Sequence, residues 1–319
     1  MTPLLDVHDL TVRFGPVTAV DGLSFSVGRG ETLAIVGESG CGKSVTALSL
    51  LRLLPMARVT GRVMLEGTDL ALLSPRQMIS IRGRRAAIIF QDPLSALNPV
   101  MTVGEQITEV LTRHRGLRRS AARSRAIELL ALVRIPEPQR RVDEYPHRFS
   151  GGMRQRAMIA AALAGEPSLL IADEPTTALD ATVQAQVLEL LASVQQAFGM
   201  ALILISHDLG VVAQAADRVV VMYAGRKMEE QAVRPFFRTP SHPYARSLMQ
   251  ARPRPGSGSD APLPEIDGIV PSLEALPPGC VFAPRCPHAI AICDAERPAL
   301  RRVGTGALVS CFRSEDLAA

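Results

Sequence analysis

The sequence contains no apolar run long enough to cross a lipid bilayer, which needs about 18 consecutive apolar residues. Its first residues, Met1-Thr2-Pro3-Leu4-Leu5-Asp6, also lack the basic stretch and following apolar stretch that mark a signal peptide. These two absences predict a cytoplasmic protein. Any role at a membrane is therefore expected to depend on partner chains.

Lysine is scarce, since the sequence has only Lys43 and Lys227. The positive charge that gives the net charge of +4 therefore comes mainly from arginine. Arginines concentrate between positions 113 and 125, where Ser120 is predicted to cap a helix over 121–135. A solvated helix face is the favoured interpretation, and contact with anionic lipid headgroups is the alternative. We expect no nucleic-acid partner.

Apolar segments of strand length alternate with helical patterns along most of the chain. Strands are predicted at 4–14, 17–27, 31–36, 86–90, 168–172, 200–206 and 218–223, and helices at 43–54, 182–198 and 209–215. Ser74-Pro75 predicts a further helix start. This alternation predicts an α/β fold with a mostly parallel sheet, an antiparallel β subdomain formed by the first strands, and an inserted helical subdomain over about 92–167.

A glycine-rich loop separates the third predicted strand from the first predicted helix. Its residues, Gly37-Glu38-Ser39-Gly40-Cys41-Gly42-Lys43-Ser44, fit the pattern G-x-x-x-x-G-K-S. Backbone N–H groups of such a loop wrap phosphates at a helix N-terminus. Lys43 is expected to bridge the β- and γ-phosphates, and Ser44 to supply a hydroxyl to Mg²⁺. The loop therefore predicts a nucleoside triphosphate site.

Two carboxylates follow the apolar run Leu169-Leu170-Ile171-Ala172. Asp173 is expected at the tip of a buried parallel strand, where it can hold Mg²⁺ through water. Glu174 is the candidate general base that polarises the attacking water. Together with the loop, these residues predict hydrolysis of the nucleotide.

Four further motifs follow along the chain: Gln91 after a strand, Ser150-Gly151-Gly152, Ala178-Leu179-Asp180, and His207 after another strand. With these motifs, the chain from Leu4 to about Ala251 resembles an ATP-binding cassette ATPase. The resemblance implies ATP and Mg²⁺ as cofactors. It also implies that Gln91 senses Mg²⁺ and the membrane partner, and that His207 contacts the γ-phosphate. Phe14 is the candidate for stacking on adenine, with a core position in its strand as the alternative.

The segment Ser150-Gly151-Gly152 resembles the signature turn of the same family. The resemblance implies that this turn contacts the γ-phosphate held by the opposite subunit, so the ATPase would work as a dimer. Ala178-Leu179-Asp180 resembles the segment that crosses the dimer interface. One departure is Met153, which stands where many cassettes have glutamine.

Three segments outside these motifs are similar to the importer cassettes for dipeptides, oligopeptides and nickel: Asp92-Pro93-Leu94-Ser95-Ala96-Leu97-Asn98-Pro99, Tyr145-Pro146-His147 and His242-Pro243-Tyr244. Asn98-Pro99-Val100 followed by Gly104-Glu105-Gln106 looks more like the D-type ATPase subunit of that family. The similarity implies a heterodimer with a related ATPase, docked on two membrane permease subunits that an external solute-binding protein feeds. The chain would then lie on the cytoplasmic face of the membrane. The alternatives are another solute, such as nickel, or a soluble ABC ATPase outside transport.

The remaining cysteines cluster near the end of the chain, and Cys280, Cys286, Cys293 and Cys311 are spaced C-x5-C-x6-C-x17-C. Four thiolates can hold zinc or an iron–sulfur cluster, although the close cysteine pairs of structural zinc sites are missing. The pattern resembles the C-terminal extension of peptide-importer ATPases, which implies a 4Fe–4S cluster. Buried cysteines without a metal are the alternative.

Composition divides the chain into three parts. Residues 1–251 are predicted to form the nucleotide-binding domain. Residues 252–264 are rich in Pro, Gly and Ser and predict a linker. Residues 265–319 are predicted to form a small C-terminal extension, whose weak apolar periodicity argues against independent folding.

Overall fold

The computed structural model describes residues 2–177, 179–251, 266–304 and 306–316. These residues form two compact units. The first unit contains residues 2–6, 26–31 and 64–205, and the second contains 7–25, 32–63 and the described residues after 205. The predicted linker and Ala178 lie outside the described residues.

The strands are β1 Leu5–Phe14, β2 Val17–Val27, β3 Thr32–Val36, β4 Arg58–Leu65, β5 Thr68–Asp69, β6 Ala86–Ile89, β7 Leu169–Asp173, β8 Ala201–Ile205, β9 Arg218–Tyr223, β10 Arg226–Ala232, β11 Arg301–Val303 and β12 Ala307–Val309. The α-helices are α1 Lys43–Leu50, α2 Pro75–Ile81, α3 Pro93–Ala96, α4 Val103–Arg115, α5 Arg119–Leu132, α6 Pro138–Arg141, α7 Gly151–Leu163, α8 Ala181–Phe198, α9 Leu209–Ala215, α10 Val233–Arg238, α11 Pro243–Gln250 and α12 Ala291–Ala295. None of the helices in the described part of the chain is both long and apolar enough to span a membrane.

The first unit is built on three parallel strands. β6 pairs with β7, and β7 pairs with β8. Every residue of β7 and β8 is buried, because continuous apolar sequence suits a strand that is covered on both faces. The parallel arrangement predicted from strand–helix alternation is confirmed here, and it places the carboxyl ends of β6 and β7 side by side.

Helices of the first unit follow their capping signals in most places. Ser74 caps α2 in a capping box with Gln77, as its sequence predicts, and Thr102 and Glu105 form a second box at α4. The predicted cap Ser120 is wrong, because α5 already begins at Arg119. Ser120 therefore lies within the first turn, where its hydroxyl cannot take the capping position.

The second unit contains a mixed set of strands. β3 runs parallel to β9, whereas β10 is antiparallel to β9 and continues through β12 to β11. The predicted helix over 43–54 is too long, since α1 ends at Leu50. Arg52 adopts a left-handed conformation with φ of 52° and stops the helix before Pro55.

The C-terminal residues of the second unit share one hydrophobic core with β3 and β9. Phe282 and Cys280 pack in this core with Val36, Tyr223 and Tyr244. The ring of Tyr223 lies 4.6 Å from that of Tyr244 and 5.3 Å from that of Phe282. Phe282 and its buried neighbours are thus held against the strand that leads into the glycine-rich loop.

Candidate active site

The glycine-rich loop connects β3 to α1 in the second unit. Lys43 is 5% exposed, and its Nζ donates hydrogen bonds to the carbonyl oxygens of Gly37 at 2.7 Å and Glu38 at 2.9 Å. Ser44 follows in the first turn of α1 and is partly exposed. The loop therefore closes around the lysine ammonium group, and the hydroxyl expected to bind Mg²⁺ stands next to it in the sequence.

Two glycines of the loop are required by their surroundings. Gly37 has φ of 152°, and a Cβ atom there would lie 2.1 Å from the carbonyl oxygen of Met222. Gly42 has φ of 98°, and a Cβ atom there would lie 2.6 Å from the carbonyl oxygen of Ala19. No other residue fits these positions without moving backbone.

Cys41 is a packing residue of the loop. It is 1% exposed, and burial raises the pKa of its thiol. A neutral buried thiol is a weak nucleophile and a poor metal ligand. Ser39 and Gly40 are at the exposed tip of the loop, where their backbone faces solvent.

The candidate general base lies in the first unit. Asp173 ends β7 and is 6% exposed, and Glu174 follows with φ of 48°. The Glu174 N–H donates to the carbonyl of Ile205 at 3.0 Å. A left-handed conformation is uncommon for glutamate and is typical of functional sites, where the surrounding structure holds it in place.

The Glu174 carboxylate accepts two hydrogen bonds on Oε2. Gln91 donates from Nε2 at 3.1 Å, and Thr177 donates from Oγ1 at 2.8 Å. The structure thus brings together two residues that were predicted separately, and it adds Thr177. The sequence signal that could have found Thr177 is its position three residues after the candidate base.

The signature turn begins α7. Ser150 caps the helix by accepting a hydrogen bond from the Met153 N–H at 3.3 Å. A Cβ atom at Gly152 would lie 3.0 Å from Cγ1 of Val183, whereas one at Gly151 would meet no atom of the described residues within 4 Å. Packing within the described chain therefore does not require the glycine at position 151.

The other landmarks occupy exposed positions at element ends. Asp180 caps α8, and its Oδ1 accepts from the N–H groups of Thr182 at 3.0 Å and Val183 at 2.9 Å. His207 is exposed and immediately precedes Asp208, the cap of α9. Phe14 ends β1 and is partly buried, so both its stacking role and its core role stay predictions.

A groove is lined in part by the end of the segment that begins at Gln91. It has a volume of about 850 Å³ and is lined by Val100, Met101 and residues of α4 and α5. Arg123 and Asp143 form a two-pronged ion pair in it, at 2.6 and 2.7 Å. This pairing lowers the pKa of the Asp143 carboxyl. Val100, which lines the groove, is 79% exposed, and Leu94, earlier in the same segment but outside the lining, is 62% exposed.

The four C-terminal cysteines line one cavity, together with His242, Phe282 and others. Burial raises the pKa of the Cys286 thiol to about 11, and it also raises the pKa values of Cys280 and Cys311. Throughout the described residues, no group of three or more His, Cys, Asp or Glu side chains is placed to hold a metal ion. The described geometry therefore contains no preformed metal site for the predicted 4Fe–4S cluster, although four thiols around one cavity are a chemically suitable donor set.

Two family models match the sequence. The model described as ABC transporter matches residues 20–177, and the one described as oligopeptide/dipeptide transporter, C-terminal region, matches residues 228–293. The second match begins within β10 and ends at Cys293, so it includes the first three of the four clustered cysteines.

Relatives align over nearly the whole chain. A probable peptide ABC transporter ATP-binding protein of Sinorhizobium fredii is 52% identical and aligns with 98% of this chain and 96% of its own length. The dipeptide transport ATP-binding protein DppD of Bacillus subtilis is 49% identical and aligns with 100% of this chain and 97% of its own.

Solved structures are similar to most of the fold. CbiO1 of Clostridium perfringens, part of an ABC transporter complex, has a TM-score of 0.65 at 27% identity, over 75% of this chain and 92% of that one. A dimeric ATP-binding cassette with ADP and Pi in a post-hydrolysis state has a TM-score of 0.64 at 27% identity, over 72% of this chain and 98% of that one. The predicted α/β cassette fold is confirmed.

Proposed function

The chain belongs to the ABC transporter ATPases, and on that premise we propose that it is the ATP-hydrolysing subunit of an importer for dipeptides or oligopeptides. The observation that carries the proposal is that one chain matches both the cassette and the oligopeptide/dipeptide C-terminal region. Near full-length relatives that are named for peptide, dipeptide and oligopeptide transport support it.

The residues of the loop and of the strand end divide the chemistry among them. Lys43 would bind the β- and γ-phosphates, and Ser44 and Asp173 would hold Mg²⁺, which would supply positive charge to offset that of the phosphates. Glu174 accepts the proton of the attacking water, and Gln91 and Thr177 hold its carboxylate. His207 contacts the γ-phosphate. Phe14 stacks on the adenine.

The signature turn contacts the nucleotide that a second ATPase subunit binds. Gly151 meets no atom of this chain where its Cβ would be, so its lack of a side chain leaves room for a group from outside the chain. We assign that group to the γ-phosphate bound by a second, related ATPase subunit. Ser150, Gly151 and Gly152 serve this second nucleotide, and Asp180 lies in the segment that crosses the interface.

The groove beside α4 and α5 supports a membrane partner. Exposed Val100 in the lining provides apolar surface, and the Arg123–Asp143 pair provides polar contacts. We propose that a permease subunit docks at this groove, which would place the chain on the cytoplasmic face of the membrane. An external solute-binding protein would then deliver peptides to the two permeases.

The alternative solute is nickel or another small solute, with the same ATPase chemistry. A soluble ABC ATPase outside transport is less well supported, because it would not account for the match to the oligopeptide/dipeptide transporter C-terminal region. Transport of a defined solute in cells distinguishes these functions.

The test is growth of an amino-acid auxotroph that can obtain the missing amino acid only from added peptides. Deleting the gene for this chain should abolish growth on dipeptides or oligopeptides, and the wild-type gene should restore it. Lys43→Ala should not restore growth, whereas Arg297→Ala, which alters a surface ion pair elsewhere, should. Normal peptide growth combined with lost nickel uptake in the deletion strain would contradict peptide import.

A finer proposal concerns the cysteines, and it is supported by their convergence on one cavity. If Cys280, Cys286, Cys293 and Cys311 hold a 4Fe–4S cluster, anaerobically purified protein should contain iron and acid-labile sulfide. Cys286→Ser should lose both, while Cys41→Ser should keep both, because Cys41 is buried in the phosphate loop. Wild-type protein without iron or sulfide would contradict the cluster.

A further inference from the structure

A buried arginine joins the C-terminal segment, which here means the described residues from Ile266 onward, to the phosphate loop. Arg285 ends a 3₁₀ turn that begins at Ala283, and its side chain is 3% exposed. Its Nη1 donates to Glu38 Oε2 at 2.8 Å, and its Nη2 donates to Glu38 Oε1 at 3.1 Å. This two-pronged geometry is the strongest form of ion pair between these groups.

The rest of the guanidinium is also bonded. Nε donates to the carbonyl of Asp267 at 2.8 Å, and Nη2 also donates to the carbonyl of Ile266 at 2.8 Å. Nη1 lies 3.3 Å from the hydroxyl of Tyr223. Because backbone carbonyls and a core tyrosine hold the arginine, its position is set by the C-terminal segment and not by Glu38 alone.

A residue of α11, Tyr244, holds the backbone of Glu38. The Glu38 N–H donates to the hydroxyl of Tyr244 at 2.9 Å, and Tyr244 is fully buried against Tyr223 and Phe282. The remaining backbone group, the Glu38 carbonyl, accepts the hydrogen bond from Lys43. Every polar group of Glu38 is thus engaged, and two of its partners come from beyond residue 240.

Charge gives this contact a consequence for nucleotide binding. Glu38 is a carboxylate inside a loop built to surround phosphates, so its negative charge opposes a triphosphate unless a cation offsets it. Lys43, the expected phosphate ligand, donates to the Glu38 carbonyl. Among the described residues, the cation that forms an ion pair with the Glu38 carboxylate is Arg285.

We propose that Arg285 is a positioning residue for the phosphate loop, which it serves by holding and neutralising Glu38. The affinity of the loop for MgATP therefore depends on the C-terminal segment. The proposal deepens the proposed function and rests on it, since it requires MgATP to bind at the loop.

The test measures equilibrium binding of MgATP to the purified full-length chain by titration calorimetry. Arg285→Ala should weaken binding by about tenfold, because it leaves a carboxylate unpaired beside the phosphates. Arg285→Lys restores the charge without the two-pronged geometry and should fall between wild type and Arg285→Ala. Arg297→Ala is the matched control, since Arg297 pairs at 2.9 Å with Asp21, outside the loop, and it should bind as wild type does.

A double-mutant cycle separates positioning from general destabilisation. In the Glu38→Gln background, Arg285→Ala should weaken MgATP binding by about twofold or less, because the charge that Arg285 offsets is gone. An equal loss in both backgrounds would overturn the proposal, as would wild-type affinity in Arg285→Ala. If Arg285→Ala fails to fold in a thermal melt, the comparison of Arg285→Lys with and without Glu38→Gln gives the same coupling.

Lys43→Ala distinguishes failure of this inference from failure of the proposed site. If Lys43→Ala abolishes MgATP binding but Arg285→Ala does not weaken it, the inference alone is wrong. If Lys43→Ala leaves MgATP binding unchanged, the proposed nucleotide site itself is wrong.

Discussion

The side-chain amide of Gln91 donates a hydrogen bond to the Glu174 carboxylate over 3.1 Å. The two residues follow β6 and β7, which are neighbouring parallel strands of one unit. Gln91 is exposed and leads into the segment that borders the groove beside α4. A movement of this segment would therefore change how the candidate base is held.

Glu174→Gln should abolish most hydrolysis while leaving MgATP binding intact. The amide keeps the size of the side chain but cannot accept the proton of water, so turnover should fall by about 10²–10⁴-fold. Phosphate release and nucleotide affinity are the two measurements. Glu189→Gln is the control, because Glu189 is an exposed carboxylate of α8 that pairs with Arg134. Near-normal turnover in Glu174→Gln would place the base elsewhere.

Thr177→Val should slow hydrolysis without preventing nucleotide binding. Valine keeps the shape of threonine but removes the hydroxyl that donates to Glu174 at 2.8 Å. Loss of one such hydrogen bond should lower kcat by about fivefold. Thr177→Ser keeps the donor and should restore kcat. Equal rates in the valine and serine variants would show that the hydroxyl does not orient the base.

Substitutions at Ser150 should separate its role as helix cap from its role at the partner nucleotide. Ser150→Asn keeps a capping acceptor but loses the hydroxyl, so the unfolding midpoint should change little while ATPase activity of the assembled dimer falls by about tenfold or more. Ser150→Thr keeps both and should behave as wild type. If Ser150→Asn retains full activity, the hydroxyl does not contact the partner's phosphate.

Two buried groups of the second unit should give opposite pH dependences of stability. Burial raises the pKa of Glu229 from 4.5 to about 7, against the bonds from the N–H groups of Ser241 and His242 and the charge of Arg246. Burial also lowers the pKa of His242 from 6.5 to about 4. Unfolding at pH 5.5 therefore releases a proton from Glu229 and binds one at His242.

The two linkage effects offset each other between about pH 4.5 and 6.5, and single variants should expose them. In Glu229→Gln the free energy of unfolding should rise with pH over this window, by up to about 1.4 kcal/mol per pH unit. In His242→Asn, which keeps a side-chain cap for α11, it should fall with rising pH until about pH 7. Denaturant titrations across the range measure both slopes, and parallel curves in the two variants would contradict this assignment.

Much of the architecture was accessible from the sequence because it depends on local signals. Continuous apolar runs predicted β3, β7 and β8, and Ser74 with Pro75 predicted the start of α2. The prediction from Ser120 failed because α5 begins at Arg119, with Arg118 in the N-cap position and no side-chain capping hydrogen bond. These errors concern helix ends, where local preferences differ by small energies.

The contacts around the candidate site were less accessible, because they join distant parts of the chain. Arg285 and Glu38 are 247 positions apart, and no periodicity or motif links them. Arg285 also stands beside Cys286, so its sequence context suggested only the cysteine cluster. The bond between Gln91 and Glu174 was foreseeable in outline, because both residues follow strands of one parallel sheet.

The hydroxyl of Tyr244, bonded to the Glu38 N–H, affects how this protein can be engineered. A gene truncated after β10 would still encode every recognisable ATPase motif, yet its product would lack the side chain that holds the second residue of the phosphate loop. Chimeras assembled from motif boundaries alone would have the same defect. Exchange of parts between related subunits should therefore succeed only where the phosphate loop and the segment that carries Tyr244 are transferred together.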